Sequence, residues 1–416
     1  MKTLNAIHHG NCMDLMDLYP EKFFSMVVTS PPYYQVRNYP IPGYDWGDWI
    51  GCLGAEPTVK MYVEHMVRVC EKIYRVLRDD GIFWLNIGDT YPQQSAKRAT
   101  SEEFVANRAR VKEKQYATDA FAGHLGWDRA GGGGLDVRPQ NLSLSPERLI
   151  TSLQDWGWNV NSKPNWYKRN GLVSSAPNRP APDFEHVYML SKKTGYFYNR
   201  EAVHKPPYPG EEREENSYEP YLRTTWDIPT QPSPTSHSST FPDMLARTCI
   251  LLGSADKICG KCQAPFKPFV VKGDLDIESA KRMGGNAQGE YVGAEQKDYV
   301  AQKAQEASKT KSRILRSLRP RKVADWDATC KCFSSHSEAS ENSIPARILD
   351  PFVGSGTTAF VSIHEKRDVV GMEAGLENFE ISAMQMALAI NGTQRKEANQ
   401  LLKIMFGREN DTRDTV

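Results

Sequence analysis

Two segments at opposite ends of the chain carry residue types that could perform chemistry on a flat ring bearing an amino group. The first is Thr29-Ser30-Pro31-Pro32-Tyr33, which follows the apolar run 24–29. Two successive prolines fix φ and remove N–H donors, so their carbonyl groups stay free to accept hydrogen bonds. The Ser30 hydroxyl can accept from an amine, and the Tyr33 ring can stack on a base. Pro-Pro alone would indicate only a rigid turn.

The second segment is Asp350-Pro351-Phe352-Val353-Gly354-Ser355-Gly356-Thr357-Thr358. It lies between a predicted strand and a predicted helix, where glycines let the backbone approach a ligand and the helix N-terminus offers unpaired N–H groups. Glu373 ends the next predicted strand, the position from which a carboxylate can hold the ribose hydroxyls of a nucleotide-like cofactor. An ordinary βα turn and a dinucleotide site are the alternatives, but the third glycine of the dinucleotide fingerprint is absent.

Four of the eight cysteines form two close pairs, Cys259 with Cys262 and Cys330 with Cys332. Two such pairs can supply four thiolates in a tetrahedron, which is the ligand set that structural zinc prefers. The alternatives are a redox disulfide and four unrelated thiols. We predict a closed, structural zinc site that joins the two ends of the intervening insertion.

A basic run lies between these pairs, in residues 309–322. Its arginines Arg313, Arg316 and Arg319 suit phosphates or guanine edges. A solvated helix face is the ordinary explanation of such a run. We nevertheless predict substrate contact here, and leave open whether this insertion or residues 92–146 reads a sequence.

The elements around both chemical segments follow a strand–helix–strand order. Apolar periodicity predicts strands over 24–29 and 82–87 with a helix over 61–77 between them, and strands over 160–167 and 185–190 after a helix over 148–156. A further helix is predicted over 242–252. The chain is then predicted to finish with a strand over 347–349, a glycine turn, a helix over 357–364, a strand over 368–371 and a helix over 378–390. This order is typical of an α/β protein with a mostly parallel sheet.

The composition of the chain excludes several classes of protein. The chain has 416 residues, 39% of them hydrophobic and 25% charged, with a formal net charge of +1. These values exclude a largely disordered chain and a histone-like, charge-driven binder. Since no apolar stretch is long enough for a bilayer and the N-terminal residues lack a secretory core, we expect no membrane association and a cytoplasmic location.

The two segments, with Thr29–Tyr33 (the proline segment) before Asp350–Thr358, resemble the motifs of the β class of DNA amino-methyltransferases. Their catalytic motif is Asp/Asn/Ser-Pro-Pro-Tyr/Phe and their cofactor motif is Phe-x-Gly-x-Gly. The resemblance implies a Rossmann-like methyltransferase fold with helices on both faces of the sheet and a circularly permuted motif order. It also implies S-adenosylmethionine as cofactor, double-stranded DNA as substrate, a cognate restriction endonuclease as a candidate partner, and a homodimer as a candidate assembly.

Site residues follow from the resemblance by position. The expected catalytic residues are Ser30, Pro31, Pro32 and Tyr33. The expected cofactor-binding residues are Asp350, Phe352, Gly354, Gly356, Thr357 and Glu373, together with Ser239, Thr240 and Phe241, which match the segment packing on the cofactor's methionine end. Asp14 and Tyr34 are expected to contact the substrate. Asn11 stands where the family usually has Asp, so Asp14 is the nearby acid.

The expected organisation has five parts. Residues 1–91 form the catalytic half, 92–146 a flexible insertion that could contact DNA, 147–252 the rest of the catalytic half with the cofactor-facing segment, 253–335 the cysteine-bracketed insertion, and 336–416 the cofactor-binding half. In the family, Ser at the first catalytic position mostly accompanies methylation of cytosine N4, so cytosine is favoured over adenine N6. An RNA or small-molecule methyltransferase and a catalytically silent DNA-binding module are the competing functions.

Overall fold

The computed structural model describes residues 4–37, 41–91, 137, 141–171, 178–203, 222–232, 242–272 and 321–406. Numbered in chain order, the strands are β1 Ala6–His9, β2 Phe24–Thr29, β3 Tyr44–Asp45, β4 Ile50–Gly51, β5 Leu77–Ile87, β6 Asn159–Ser162, β7 Asn165–Tyr167, β8 Phe184–Ser191, β9 Thr225–Asp227, β10 Lys257–Cys259, β11 Phe266–Lys272, β12 Arg321–Ala328, β13 Ser343–Pro345, β14 Arg347–Asp350 and β15 Asp368–Glu373. The helices are α1 Cys12–Asp17, α2 Val59–Val76, α3 Ser145–Trp156, α4 Asp243–Gly253, α5 His336–Glu341, α6 Thr357–His364, α7 Leu376–Ile390 and α8 Arg395–Phe406.

The chain divides into two compact units, and the larger comprises residues 1–197, 224–254 and 345–416. Its central sheet has the strand order β1-β15-β14-β2-β5-β8-β7-β9, with β6 beside β8. The first five strands run parallel, whereas β8 is antiparallel to β5. The predicted mostly parallel sheet is therefore confirmed, and the two chemical segments follow its central neighbours β2 and β14.

Side chains alternate between the two faces of this sheet, as strand geometry requires. Val27, Phe83 and Leu349 belong to a core cluster that also holds Met16 of α1 and Met66 of α2. On the opposite face, α4 approaches so closely that a Cβ on Gly253 would lie 2.8 Å from the Trp84 indole nitrogen. Helices therefore cover both faces, as predicted.

Helix α2, which packs in the core cluster on one face of the sheet, illustrates how the local sequence determines where a helix begins and which residues it buries. The Thr58 hydroxyl accepts a 3.1 Å hydrogen bond from the Met61 amide and so caps the first turn. The apolar residues spaced three and four apart are buried, Val69 and Ile73 among them. The helix begins two residues earlier than its apolar periodicity predicts, because the capping residue and not the first apolar face residue sets the start.

Several elements differ from the sequence-based expectation. The strand predicted over 160–167 is divided into β6 and β7, with Lys163 and Pro164 between them. Proline has no N–H to donate to a sheet, which accounts for the break. Helix α8 follows the last predicted helix, and β10, β11 and β12 lie in the cysteine-bracketed insertion 253–335, for which the sequence predicts no strands.

The smaller unit comprises residues 198–223 and 255–344. In it, β11 pairs with β12 in an antiparallel ladder from Phe266–Ala328 to Lys272–Arg321. Cys259, Phe266 and Ala339 form its small buried cluster, against which Cys330 and Cys332 pack. In the described parts of the chain, no helix combines the length and apolar character needed to cross a membrane.

Candidate active site

The two chemical segments meet at one edge of the central sheet. Strands β2 and β14 are parallel neighbours in the register Met26–Ile348 and Val27–Leu349. The carboxyl ends of parallel strands lie at the same edge, so the loops after Thr29 and Asp350 emerge side by side. The Thr29 hydroxyl donates a 2.5 Å hydrogen bond to Asp350 Oδ1 and joins the two strand ends directly.

A cleft of about 1360 Å³ opens above these strand ends. One part of its wall consists of residues 30–33 and 86–89, and another consists of residues 350–355 and 372–378. The ends of β7 and β8 contribute a third part, which includes Lys168 and Glu185. Since ligand sites commonly hold about 300–1,000 Å³, this cleft is large enough for two ligands side by side.

Backbone conformation shapes the loop between β14 and α6. Gly354 and Gly356 have φ values of +54° and +97°, the left-handed region that L side chains rarely adopt. A Cβ on Gly356 would also lie 2.8 Å from the Cα of Ser382 in α7. Gly356 is therefore required both by its φ and by the close approach of α7, and it places the α6 N-terminus and Thr357 against the cleft.

Glu373, at the end of β15, holds this loop from the other side. Its Oε2 accepts from the Gly354 amide at 3.1 Å, and its Oε1 accepts from the Gly375 amide at 2.7 Å. Burial raises the pKa of this carboxyl, although the two amide donors oppose the effect. The side chain lines the cleft as the cofactor prediction requires.

Asp350 is almost completely buried, with 3% of its surface exposed. Burial raises the pKa of its carboxyl to about 6, although hydrogen bonds from Thr29, Thr358 and the Phe352 amide favour the charged form. The carboxylate thus fastens the cofactor loop to the catalytic strand, while Phe352 beside it lines the cleft. Cofactor binding by Asp350 stays a prediction, and its hydrogen bonds show a structural role.

The proline segment turns its polar groups toward the cleft. The Ser30 hydroxyl lies 3.2 Å from the Tyr33 hydroxyl, which donates to Glu185 Oε2 at 2.7 Å. The Pro32 carbonyl accepts from the Tyr62 hydroxyl at 2.9 Å and so anchors the loop to α2. Pro31 is buried. Ser30 and Tyr33 therefore stand together at the wall of the cleft.

The absence of a side chain at Gly88 leaves room for the Tyr33 ring. A Cβ on Gly88 would lie 2.8 Å from Cε2 of that ring. Asn86, two residues earlier on β5, donates from Nδ2 to Glu185 Oε2 at 3.1 Å. The segment 86–91 resembles one that recurs in DNA amino-methyltransferases, and a strand end with a turn is the alternative interpretation. In the structure it contacts Tyr33 of the catalytic loop through Asn86 and Gly88.

Two residues expected to contact substrate lie elsewhere. Tyr34 has no exposed surface and packs against the Tyr62 ring in the core. That burial contradicts its assignment as a substrate contact, because the ring cannot reach the cleft. Asp14 lies on the exposed side of α1 and accepts from the Tyr44 hydroxyl at 3.1 Å, whereas Asn11 caps the helix by accepting from the Met13 amide.

Some predicted site residues fall outside the described residues. These are Ser239, Thr240 and Phe241 of the cofactor-facing segment, Arg313, Arg316 and Arg319 of the basic run, and most of the insertion predicted over 92–146.

Glu185 and Lys168 are site residues that the sequence reasoning missed. They form an ion pair at the cleft wall, and Lys168 Nζ also lies 4.5 Å from the centre of the Trp166 ring. The charge of Glu185 is the signal that could have found it, since it stands shortly before the buried apolar residues 187–190 of β8. A charged residue beside a buried strand segment is a candidate for function.

The four paired cysteines are brought together in the smaller unit. The sulfur atoms of Cys259, Cys262, Cys330 and Cys332 all lie within 4.8 Å of one another. Tetrahedral zinc with Zn–S bonds of about 2.3 Å needs sulfurs about 3.8 Å apart, so a small adjustment completes the site. Burial raises the pKa of the Cys259 thiol, but hydrogen bonds from the Cys262 and Lys261 amides and from the Cys330 and Cys262 thiols together lower it to about 7. The donor set therefore fits zinc.

The family profile and the curated relatives that match this sequence are all methyltransferases. The sequence profile of the N6/N4 methyltransferase family, described as DNA methylase, matches residues 24–258 and 340–384. The Type II methyltransferase M.SmaI of Serratia marcescens is 31% identical over 257 residues, covering 62% of this chain and 77% of that protein. M.XycI of Xanthomonas campestris pv. cyanopsidis is 30% identical over 246 residues, covering 59% and 71%. Among solved structures, the cytosine-N4-specific PvuII DNA methyltransferase is 12% identical, with a TM-score of 0.44 and coverage of 98% and 93%.

Proposed function

The chain belongs to the N6/N4 family of DNA methylases, and on that premise we propose that it transfers a methyl group from S-adenosylmethionine to the exocyclic amine of a flipped base in double-stranded DNA. The observation that carries this proposal is the junction of β2 with β14, where Thr29 bonds to Asp350 and both loops face one cleft. A methyl donor held by one loop and an amine held by the other would meet there.

The cofactor half of the cleft fits S-adenosylmethionine in its chemistry. Glu373 offers carboxylate oxygens for ribose hydroxyls, and Gly354 and Gly356 keep the backbone free of side chains beside the α6 N-terminus. Phe352 adds an aromatic surface. When bound, the cofactor supplies an electrophilic methyl group on its sulfonium.

The catalytic half acts on the amine. An exocyclic amine conjugated to its ring is a poor nucleophile, because its lone pair is delocalised. If Ser30 Oγ and the Pro31 carbonyl accept its two hydrogens, the nitrogen is favoured in the more tetrahedral form that it has in the transition state. The base must leave the duplex to reach these groups, and the Tyr33 ring is the surface on which it would stack.

Cytosine N4 is the favoured target. Support for this comes from Ser30 at the first catalytic position, which in the family mostly accompanies methylation of cytosine. Adenine N6 is the second candidate, since both bases present an amine in the same chemical setting. The Type II relatives also favour a restriction–modification role with a cognate endonuclease as partner.

A methyl-transfer assay with duplex DNA, single-stranded DNA and RNA tests the reaction, and nucleoside analysis separates N4-methylcytosine from N6-methyladenine. Ser30→Ala should reduce turnover by about a hundredfold or more, as removal of one positioned hydrogen-bonding group does in other sites, and leave S-adenosylmethionine binding intact. Ser337→Ala, on the exposed side of α5, serves as the matched control. Full turnover by Ser30→Ala, or no methyl transfer to any DNA by the wild type, would refute the proposal.

Structural zinc in the smaller unit is part of the same proposal. A closed four-thiolate set leaves no position for a reactant, so the metal would stabilise the fold and not take part in methyl transfer. The stretch between the cysteine pairs includes the basic run, which we propose contacts DNA phosphates.

A further inference from the structure

Glu185 is the centre of a hydrogen-bonded network beneath the catalytic loop. Its Oε2 accepts from the Tyr33 hydroxyl at 2.7 Å and from Asn86 Nδ2 at 3.1 Å. Its Oε1 forms the ion pair with Lys168. With 17% of its side chain exposed, this carboxylate stands at the wall of the cleft while most of its surface is withdrawn from water.

Tyr33 connects Glu185 to Ser30 in this network. The Tyr33 hydroxyl has a single proton and two acceptors within reach, Glu185 Oε2 at 2.7 Å and Asn86 Oδ1 at 3.3 Å, and the shorter bond to the carboxylate takes the proton. The Tyr33 oxygen can then accept from the Ser30 hydroxyl, which lies 3.2 Å away. In that arrangement the Ser30 proton points to Tyr33, and the free lone pairs of Ser30 Oγ face the cleft.

We propose that Glu185 is a positioning residue that acts through Tyr33: it orients the Ser30 hydroxyl as an acceptor and takes up the proton released when the amine is methylated. The proposal rests on the proposed function. In the methyl transfer the sulfur–methyl bond breaks, its electron pair stays on sulfur, and the amine nitrogen forms the new bond. The nitrogen then loses one proton to Ser30 Oγ while Ser30 passes its own to Tyr33 and Tyr33 passes its own to Glu185.

This arrangement answers a chemical need of the serine-type loop. The methylated nitrogen must lose a proton, and a serine hydroxyl is a poor terminal acceptor, whereas a carboxylate is a good one. Burial and the nearby Glu185 charge raise the pKa of the Tyr33 hydroxyl. Tyr33 therefore stays protonated and can relay a proton without remaining as a tyrosinate anion. Lys168 forms an ion pair with Glu185 and so holds the carboxylate in place beside Tyr33.

Other titratable groups near Glu185 determine what a pH profile can show. His186 is next to it on β8, and Glu147 of α3 lies 3.6 Å from the His186 ring. Asp89 and Lys163 also act on His186, and Tyr62 acts on Tyr33. All of these groups remain in a Glu185 variant, so an effect seen only in that variant comes from Glu185.

The test compares the purified wild-type chain with Glu185→Gln, Glu185→Asp and Tyr33→Phe. Each is assayed for kcat and KM on a duplex containing the target site over a range of pH, and for S-adenosylmethionine affinity by calorimetry. We expect Glu185→Gln to lower kcat by about a hundredfold, the usual scale of a positioned acid or base, with cofactor affinity and the DNA KM unchanged.

Two further results complete the test. Tyr33→Phe should lower kcat to a similar extent, and the double variant should be no worse than either single one, because both act through the same path. Glu185→Asp should recover part of the rate. An unchanged kcat in Glu185→Gln, additive losses in the double variant, or a loss confined to KM would overturn the inference, whereas a wild type that transfers no methyl group to DNA would refute the proposed function instead.

Discussion

Thr29 donates a 2.5 Å hydrogen bond to Asp350 across 321 positions of sequence. The bond joins the last residue of β2 to the last residue of β14, and the same Asp350 oxygen also accepts from the Phe352 amide at 3.1 Å. One buried carboxylate therefore links the start of the catalytic loop to the start of the cofactor loop.

Thr29→Val should destabilise the protein, because it removes a hydroxyl donor from a buried acceptor while keeping nearly the same shape. We expect the free energy of unfolding to fall by about 1–3 kcal/mol, the usual cost of leaving such a group unsatisfied. Urea unfolding at neutral pH measures it. Thr29→Ser keeps the hydroxyl and is the control; equal stability of the valine and serine variants would show that the bond contributes nothing.

Asp350 should make stability depend on pH. Burial raises the pKa of its carboxyl from 3.8 to about 6 in the folded state. A raised pKa contributes stability that is fully present below the unfolded pKa and is lost as pH rises through the folded pKa. Relative to Asp350→Asn, the wild type should therefore lose about 3 kcal/mol between about pH 4 and pH 6 and change little above that. Unfolding curves for both proteins across this range test it, and parallel curves would contradict it.

Gly356→Ala should be far more harmful than Gly354→Ala. Both residues have positive φ, so both variants carry a backbone strain of roughly 1 kcal/mol or more. Only Gly356 also faces a backbone atom, the Ser382 Cα at 2.8 Å from the added Cβ, whereas the nearest atom to a Cβ on Gly354 is 4.0 Å away. Thermal unfolding and S-adenosylmethionine affinity should rank the wild type first, Gly354→Ala second and Gly356→Ala last; the reverse order of the two variants would be inconsistent with this loop.

Gly88→Ala should impair catalysis without removing any polar group. The added methyl would lie 2.8 Å from the Tyr33 ring, so the ring must shift, and it would touch the Glu185 carboxyl carbon at 3.4 Å. Misplacement of about 1 Å in a reacting site can lower the rate by about a hundredfold, so we expect a loss of kcat between roughly tenfold and a hundredfold. Gly195→Ala, where an added Cβ meets nothing within 4 Å, is the control. Equal kcat for the two variants would argue against a role for the Tyr33 position.

Replacing Cys259 by Ser should remove one zinc ion per chain and lower the melting temperature. Cys259 is buried in the small cluster with Phe266 and Ala339, so loss of a ligand there should loosen the smaller unit. Elemental analysis and thermal unfolding measure both effects. Cys249→Ala, a buried thiol of α4 apart from the four, should keep the zinc; a well-folded wild type without metal would show that the cluster is not a zinc site.

Much of the fold was predictable because its signals are local. The apolar run of β2, the periodicity of α2 and the glycine turn before α6 each depend on residues within one or two turns of chain. Predictions failed where contact with a residue distant in sequence determines whether a side chain is buried or faces the cleft. Tyr34 stands next to Tyr33 and has the same residue type, but packing against Tyr62 buries it, whereas Tyr33 turns toward Glu185.

By itself the sequence determined the two motifs, their order along the chain and the paired cysteines, because residue type and close spacing carry that chemistry. Only the tertiary structure decided that Thr29 meets Asp350, that Glu185 reaches Tyr33 from another strand, and that four sulfurs converge within 4.8 Å. The physical reason is that strand order and register are set by the burial of whole faces of a sheet. Contacts between distant residues follow from that packing and leave no pattern in the neighbouring sequence.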